Sequence, residues 1–236
     1  MRRIAVSLVA AAALGGTAIQ TASAADLRTV PVKAPPPAVV AVYDWSGCYV
    51  GFFGGYKTGR VHHAIAGLDD FSRYNLRGGV VGGDLGCNFQ RGALVYGIEG
   101  DIAWLGATGN GNPPNPAFTL NARERWLATL RGRLGFAMNQ WLFYATGGVA
   151  FSSLRVTETA PNGTSMQDSQ SSVGWVVGLG TEYALNQNWR LKAEYLYADF
   201  GNETFFNGVT ACTGCTTPQQ IEWHNHILKF GVNYRF

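Results

Sequence analysis

The residues able to do chemistry in this sequence are charges spaced two apart inside apolar stretches. Glu99 and Asp101 are so spaced, as are Arg131 and Arg133, with Arg125 six positions earlier on the same parity, then Arg190, Lys192 and Glu194. Asp84, Glu182, Lys229 and Arg235 stand in similar surroundings. A spacing of two puts side chains on one face of a strand. Charges of both signs sharing an enclosed face must pair, because an isolated buried charge is very costly. The chemistry open to this set is an internal ion-pair network or, if the enclosure is wide enough, a charged pore.

Sulfur and imidazole are the other reactive groups. The chain has 4 cysteines, an even number that suits disulfides in an exported protein. Cys48 and Cys87 fall on the same parity of neighbouring strand-like segments, and register decides whether they bond. Cys212 and Cys215 form a C-x-x-C pair without the βα setting of a redox motif, so a small loop-stiffening disulfide is expected. Zinc would need two more ligands, and none is adjacent in sequence. His62-His63 offers imidazoles to haem or a metal, but histidines in a polar loop are expected to be solvated. His224 and His226 flank Asn225 with no serine alongside, which argues against a lipid-cleaving Ser-His-acid set. The sequence therefore predicts no catalytic residues, no metal and no cofactor.

Strands must hold those charges. From Trp45 onward, eight strand-like segments are expected: 45–56, 78–89, 94–105, 124–138, 142–156, 171–185, 189–200 and 224–236. The last one alternates most clearly. His226, Leu228, Phe230, Val232, Tyr234 and Phe236 take one face, and Asn225, Ile227, Lys229, Gly231, Asn233 and Arg235 the other. The connections 90–93, 139–140 and 186–188 are tight, whereas 57–77, 106–123, 157–170 and 201–223 are long. In an up-and-down barrel this puts the long loops at one end and the tight turns at the other, as in transmembrane barrels of outer membranes.

Alternation does not say which face is inside, since soluble barrels alternate too. The tryptophans favour lipid outside. Trp45, Trp141 and Trp189 lie at the short-turn end, and Trp104, Trp126, Trp175 and Trp223 at the long-loop end. That is the pattern of two aromatic girdles at lipid headgroup level. The fold expected is an eight-stranded antiparallel up-and-down transmembrane β-barrel. Its lumen is only wide enough for side chains to fill, so the twelve charges named above should pair across it.

The N-terminus reads as an address. Met1-Arg2-Arg3 precedes an apolar run, Ile4 to Ile19, and Ala22-Ser23-Ala24 is an A-x-A cleavage site, with Ala24 the last residue removed. Residues 1–24 are expected to be a signal peptide and 25–44 a Pro-rich periplasmic linker, with the barrel at 45–236. The composition agrees. Hydrophobic residues make up 47% and charged residues 14%, too apolar for a disordered chain, while a mean hydropathy near zero is too polar for a helical membrane bundle. The net charge of +3 is spread along the chain, and no basic patch argues for nucleic acid.

Particular motifs carry a resemblance. Trp45-Ser46-Gly47-Cys48-Tyr49-Val50-Gly51 with Gly54-Gly55-Tyr56 resembles the first strand of the alphaproteobacterial outer-membrane immunogenic protein family, surface antigens with an OmpA-like barrel. Cys87-Asn88-Phe89, Tyr96–Asp101, Leu130–Gly135, Tyr144–Ala150, Gly178–Glu182, Lys192–Tyr195 and His226–Phe236 resemble successive later parts of it. The resemblance spans the mature chain. It implies a structural or surface role, without an agreed set of catalytic residues, and some members are associated with haemin.

The function expected is a surface-exposed structural barrel of the cell outer membrane. The runner-up is a low-conductance porin, ahead of haemin binding or lipid modification. The partners expected are outer-membrane lipid, lipopolysaccharide and the outer-membrane assembly machinery, with any host ligand unknown. Leu228, Phe230, Val232, Tyr234 and Phe236 resemble the apolar C-terminal assembly signal of such barrels.

Overall fold

The computed structural model describes residues 43–65, 68–111, 119–205 and 219–236. The expected signal peptide with its expected cleavage site at Ala24, the expected linker up to residue 42, and Cys212 and Cys215 lie outside the described residues. The strands are β1 (Gly47–Ile65), β2 (Leu68–Arg91), β3 (Leu94–Gly111), β4 (Thr119–Met138), β5 (Trp141–Thr159), β6 (Ser165–Ala184), β7 (Trp189–Phe205) and β8 (Gln219–Arg235). Each pairs antiparallel with the next, and β8 returns to β1 to close the barrel, from Tyr49↔Arg235 to Ile65↔Gln219. Closure satisfies every strand edge, which a sheet in hydrocarbon requires.

The tight turns follow from local chemistry. Gly92 takes φ +64° between β2 and β3, and Asn139 takes φ +53° between β4 and β5. Glycine and asparagine are the residues that tolerate this left-handed region.

At the other end the strands run further than the sequence suggested. The stretch 57–77 reads as a long loop, yet β1 continues to Ile65 and β2 begins at Leu68. The loop-side connections shrink to 66–67, 112–118, 160–164 and 206–218. The reason is an inversion of polarity along each strand. In the short-turn half, Phe52, Leu85, Ile98, Leu130, Leu179 and Phe230 face outward, as a lipid-facing band must. In the loop half the outward positions turn polar, for example Arg60, Asn75 and Arg123, while Val61, Leu76, Leu154 and Ile221 face in and are buried. The barrel wall thus extends beyond the apolar band as an ordinary barrel with an apolar interior. Strands of 17 to 24 residues exceed the roughly 9–11 needed to cross a bilayer.

Glycine matters where the backbones of neighbouring strands approach closely. A Cβ added at Gly148 on β5 would fall on the Leu130 carbonyl oxygen and 2.7 Å from the Arg131 Cα on β4. Replacing Gly148 with Val is expected to cost about 1–3 kcal/mol through overpacking. Urea titration of detergent-refolded barrel, followed by the heat-modifiable band, measures this. An unchanged midpoint would mean that β4 yields freely.

Candidate functional site in the barrel interior

The interior is filled in layers, and the ionic layer is central. Arg131 projects from β4 to three carboxylates on other strands. Its guanidinium donates to Glu99 (2.6 Å) and Asp101 (2.7 Å) on β3, and to Glu194 (2.9 Å) on β7. Its Nε also donates to the Thr129 hydroxyl at 2.9 Å, which in turn donates to Asp101 at 2.6 Å. Arg133 donates to Glu182 (2.6 Å) and lies 3.8 Å from the centre of the Tyr144 ring. Lys192 reaches Glu99 (2.7 Å) and Asp84 (3.0 Å), and Lys229 reaches Asp101 (2.9 Å). Strand alternation aims these residues inward, and buried charges of opposite sign meet because nothing else there can solvate them.

Ten of the twelve charges named from the sequence lie on the lumen side, buried among this network or at its edge: Asp84, Glu99, Asp101, Arg131, Arg133, Glu182, Arg190, Lys192, Glu194 and Lys229. Arg235 sits instead at the short-turn mouth, donating to the backbone carbonyl oxygens of Asp44 and Ser46. Arg125 is exposed on the outer surface. The β4–β5 register shifts between Glu124 and Leu127, so Arg125 and Trp126 both occupy the irregularity and parity reverses beyond it. Glu124 therefore turns into the lumen and pairs with Lys57 of β1, assisted by Ser152 (2.7 Å) and Asn225 (3.1 Å).

Lys57 and Glu124 were missed for separate reasons. Lys57 follows Tyr49, Phe53 and Gly55 on one parity, but the expected end of β1 was one residue short of it. Glu124 has the wrong parity unless the bulge is known. The Tyr49 hydroxyl, a donor to Glu99, was legible only as part of an aromatic strand.

Two tryptophans expected in girdles lie inside. Trp45 is fully buried at the short-turn mouth beside Tyr43, under the Arg190 guanidinium at 4.8 Å from its ring centre. Its backbone N–H donates to the Gln90 side chain, which holds the pre-strand segment across the mouth. Next to it, the Ser46 amide donates to Asp44 and holds that carboxyl below the usual carboxylate range. Trp223 has the lumen parity of Asn225, and stacks on Phe200 at 5.2 Å in the apolar layer of the loop half. Trp104, Trp141, Trp175 and Trp189 are exposed on the outer face, and Trp126 is half-buried there opposite Trp104.

Cys48 and Cys87 are register partners on the outward face and form a disulfide with a Cα–Cα distance of 4.0 Å. His226 shares a hydrogen bond of 2.6 Å with the Tyr195 hydroxyl, and the rings of His224 and His226 pack on Tyr197. Those imidazoles face outward and engage tyrosines, with no hydroxyl nucleophile of a serine among these contacts. His62 is half-buried on the outward parity of β1, opposite Arg73. Leu228, Phe230, Val232, Tyr234 and Phe236 are all exposed on the outer face.

Known proteins share this architecture. A family model described as outer membrane protein beta-barrel domain matches residues 9–236. The 31 kDa outer-membrane immunogenic protein of Brucella melitensis is 30% identical over 92% of this chain and 94% of its own. Among solved structures, the outer membrane protein OprG of Pseudomonas aeruginosa matches 81% of this chain and 96% of its own, with a TM-score of 0.55 and 16% identity. The outer membrane protease OmpT of Escherichia coli matches 80% and 97%, with a TM-score of 0.54 and 9% identity. At these identities the two structures share a fold with this chain.

The ionic layer has a testable energetic signature. Arg131→Met leaves Glu99, Asp101 and Glu194 short of a shared counter-charge, which is expected to destabilise the barrel by about 3–5 kcal/mol. A Glu194→Gln change, which leaves Arg131 two carboxylates, should cost clearly less. Unfolding midpoints of the two refolded variants decide this, and equal losses would remove Arg131 from the centre of the network.

Proposed function

Because this chain belongs to the outer membrane protein beta-barrel domain family and lies in the cell outer membrane, we propose that it is a non-conducting structural barrel whose loop end serves as its contact surface outside the cell. The observation that carries this reading is the filled interior. Arg131, Arg190, Lys57 and Lys229 are fully buried, so the lumen is closed to solvent at the level of its charges. The Tyr43–Trp45 pair covers the short-turn mouth, and Phe200 and Trp223 pack the loop half. A pore would have to break several ion pairs at once, each costly to leave half-made. An envelope role then rests on a stable wall, and recognition on the polar loop half.

Planar-bilayer recording tests the closed lumen. Folded protein is expected to give no steady steps. Salt-dependent single-channel steps would favour the low-conductance porin instead.

Orientation is tested separately on intact cells. A broad-specificity protease added outside is expected to cut within 112–118, 160–164 or 206–218 and to spare the turn at Arg91 and Gly92. Cleavage at that turn in intact cells would invert the topology.

A further inference from the structure

The outer surface of β4, β5 and β6 carries an arrangement that the closed-barrel reading does not use. Arg123 and Arg155 are direct cross-strand partners on the outward face. Like charges placed directly opposite are destabilising on their own. A third cation, Arg125, is turned outward beside them by the irregularity that also sends Glu124 inward. Together with Asn121, Thr157 and Gln167 these arginines line a depression of about 300 Å³.

Among the described residues, no carboxylate on these strands forms an ion pair with the cluster. Glu124 and Glu158 are buried in the lumen, and Asp168 has the lumen parity of Met166 and Ser172. The adjoining connections 112–118 and 160–164 contain no acidic residue. Among the described residues Arg123 and Arg125 have no ion-pair partner, and Arg155 donates only to the Ser169 hydroxyl, at 3.0 Å. The remaining outward neighbours are neutral hydrogen-bonding groups, which suit an anion with several oxygens.

The height of the cluster identifies the anion. Trp126 is the last apolar outward residue of β4, and Arg125 precedes it directly. Arg123 lies three positions from Trp126, about 10 Å along the strand. On β5 and β6 the apolar outward residues end at Phe151 and Val173, and Ser153 and Ser171 separate them from the Arg155–Ser169 pair. The cations thus stand just above the edge of the lipid-facing band, where lipid headgroups lie.

We propose that Arg123, Arg125 and Arg155 bind the phosphates of a phosphorylated glycolipid headgroup in the outer leaflet, its acyl chains lying against Trp126, Phe151 and Val173. Guanidinium–phosphate pairing is charge-assisted and often bidentate, and it removes the repulsion between the facing arginines. The assignment to the outer leaflet rests on the orientation proposed above. Binding in detergent does not, so the two can fail separately.

The experiment uses full-length protein refolded in detergent, with diphosphoryl lipid A and its dephosphorylated form as probes, and native mass spectrometry as the readout. Wild-type protein is expected to retain the phosphorylated lipid and to bind the dephosphorylated form about tenfold or more weakly, from loss of several charge-assisted bonds. The variant R123Q/R125Q/R155Q should lose that preference, and R123K/R125K/R155K should keep part of it. R91Q, at the opposite end, should bind as wild type. Heat-modifiable migration checks folding. If the Gln variant does not fold, the wild-type contrast between the two lipids still decides. Equal retention of both lipids, or an unchanged preference in a folded Gln variant, overturns the proposal. So does full displacement of the lipid by an equimolar amount of inorganic phosphate, which would make the depression a free-anion site.

Discussion

A sheet in hydrocarbon cannot leave a backbone edge unpaired, and the rest of this structure follows from that constraint. Pairing β8 with β1 removes both edges at once. Eight strands then enclose a lumen that only side chains can fill. The closed wall also decides which residues must solve which problem. Outward positions of the short-turn half meet lipid and become apolar, so inward positions on the same strands hold the polar residues. Those inward charges cannot reach water, and must find one another.

The layers inside reflect the medium outside. Where the outer face is apolar, the lumen holds Arg131, Lys192, Glu99 and their partners. Where the outer face turns to Arg60, Arg123 and Asn75, the lumen holds Phe200, Leu154 and Trp223. Each half keeps one apolar face per strand, and only its direction changes. In the membrane half, lipid covers that face; in the loop half, packing against other strands does. This division lets the wall continue beyond the membrane without a separate domain, because the second half carries its own apolar core.

The same inversion explains what the sequence revealed and what it concealed. The short-turn halves were legible because apolar residues at period two mark a strand whichever face is inside. Ten of the lumen charges follow from parity alone. The loop halves read as loops because the parity that is apolar in the short-turn half of each strand turns polar there, as at Thr58, Arg60 and His62 on β1. Arg125 is read onto the lumen face and Glu124 goes unrecognised because one irregularity in β4 reverses parity, and hydrogen-bond register is a property of the neighbouring strands rather than of the segment. Trp45 was placed in a girdle by its nearness to a strand end, although it precedes β1 and is free to turn into the mouth. Trp223 needed only its parity with Asn225 and Lys229 to be placed inside.

Consequences of the β4 irregularity reach both faces of the wall. Inside, it delivers Glu124 to Lys57, at the junction between the ionic layer and the apolar one. Both are fully buried, so each would be an uncompensated charge without the other. Outside, it puts Arg125 next to Trp126, ahead of the facing pair Arg123 and Arg155. A regular strand would have sent Arg125 inward and Glu124 outward. The inner junction would then hold two cations, Lys57 and Arg125, and the outer row would gain a carboxylate beside Arg123. One local shift in register therefore separates the signs: the anion goes where a buried lysine needs it, and the cation goes to the lipid boundary. Filling the lumen and charging the outer rim are in this way two results of the same backbone feature.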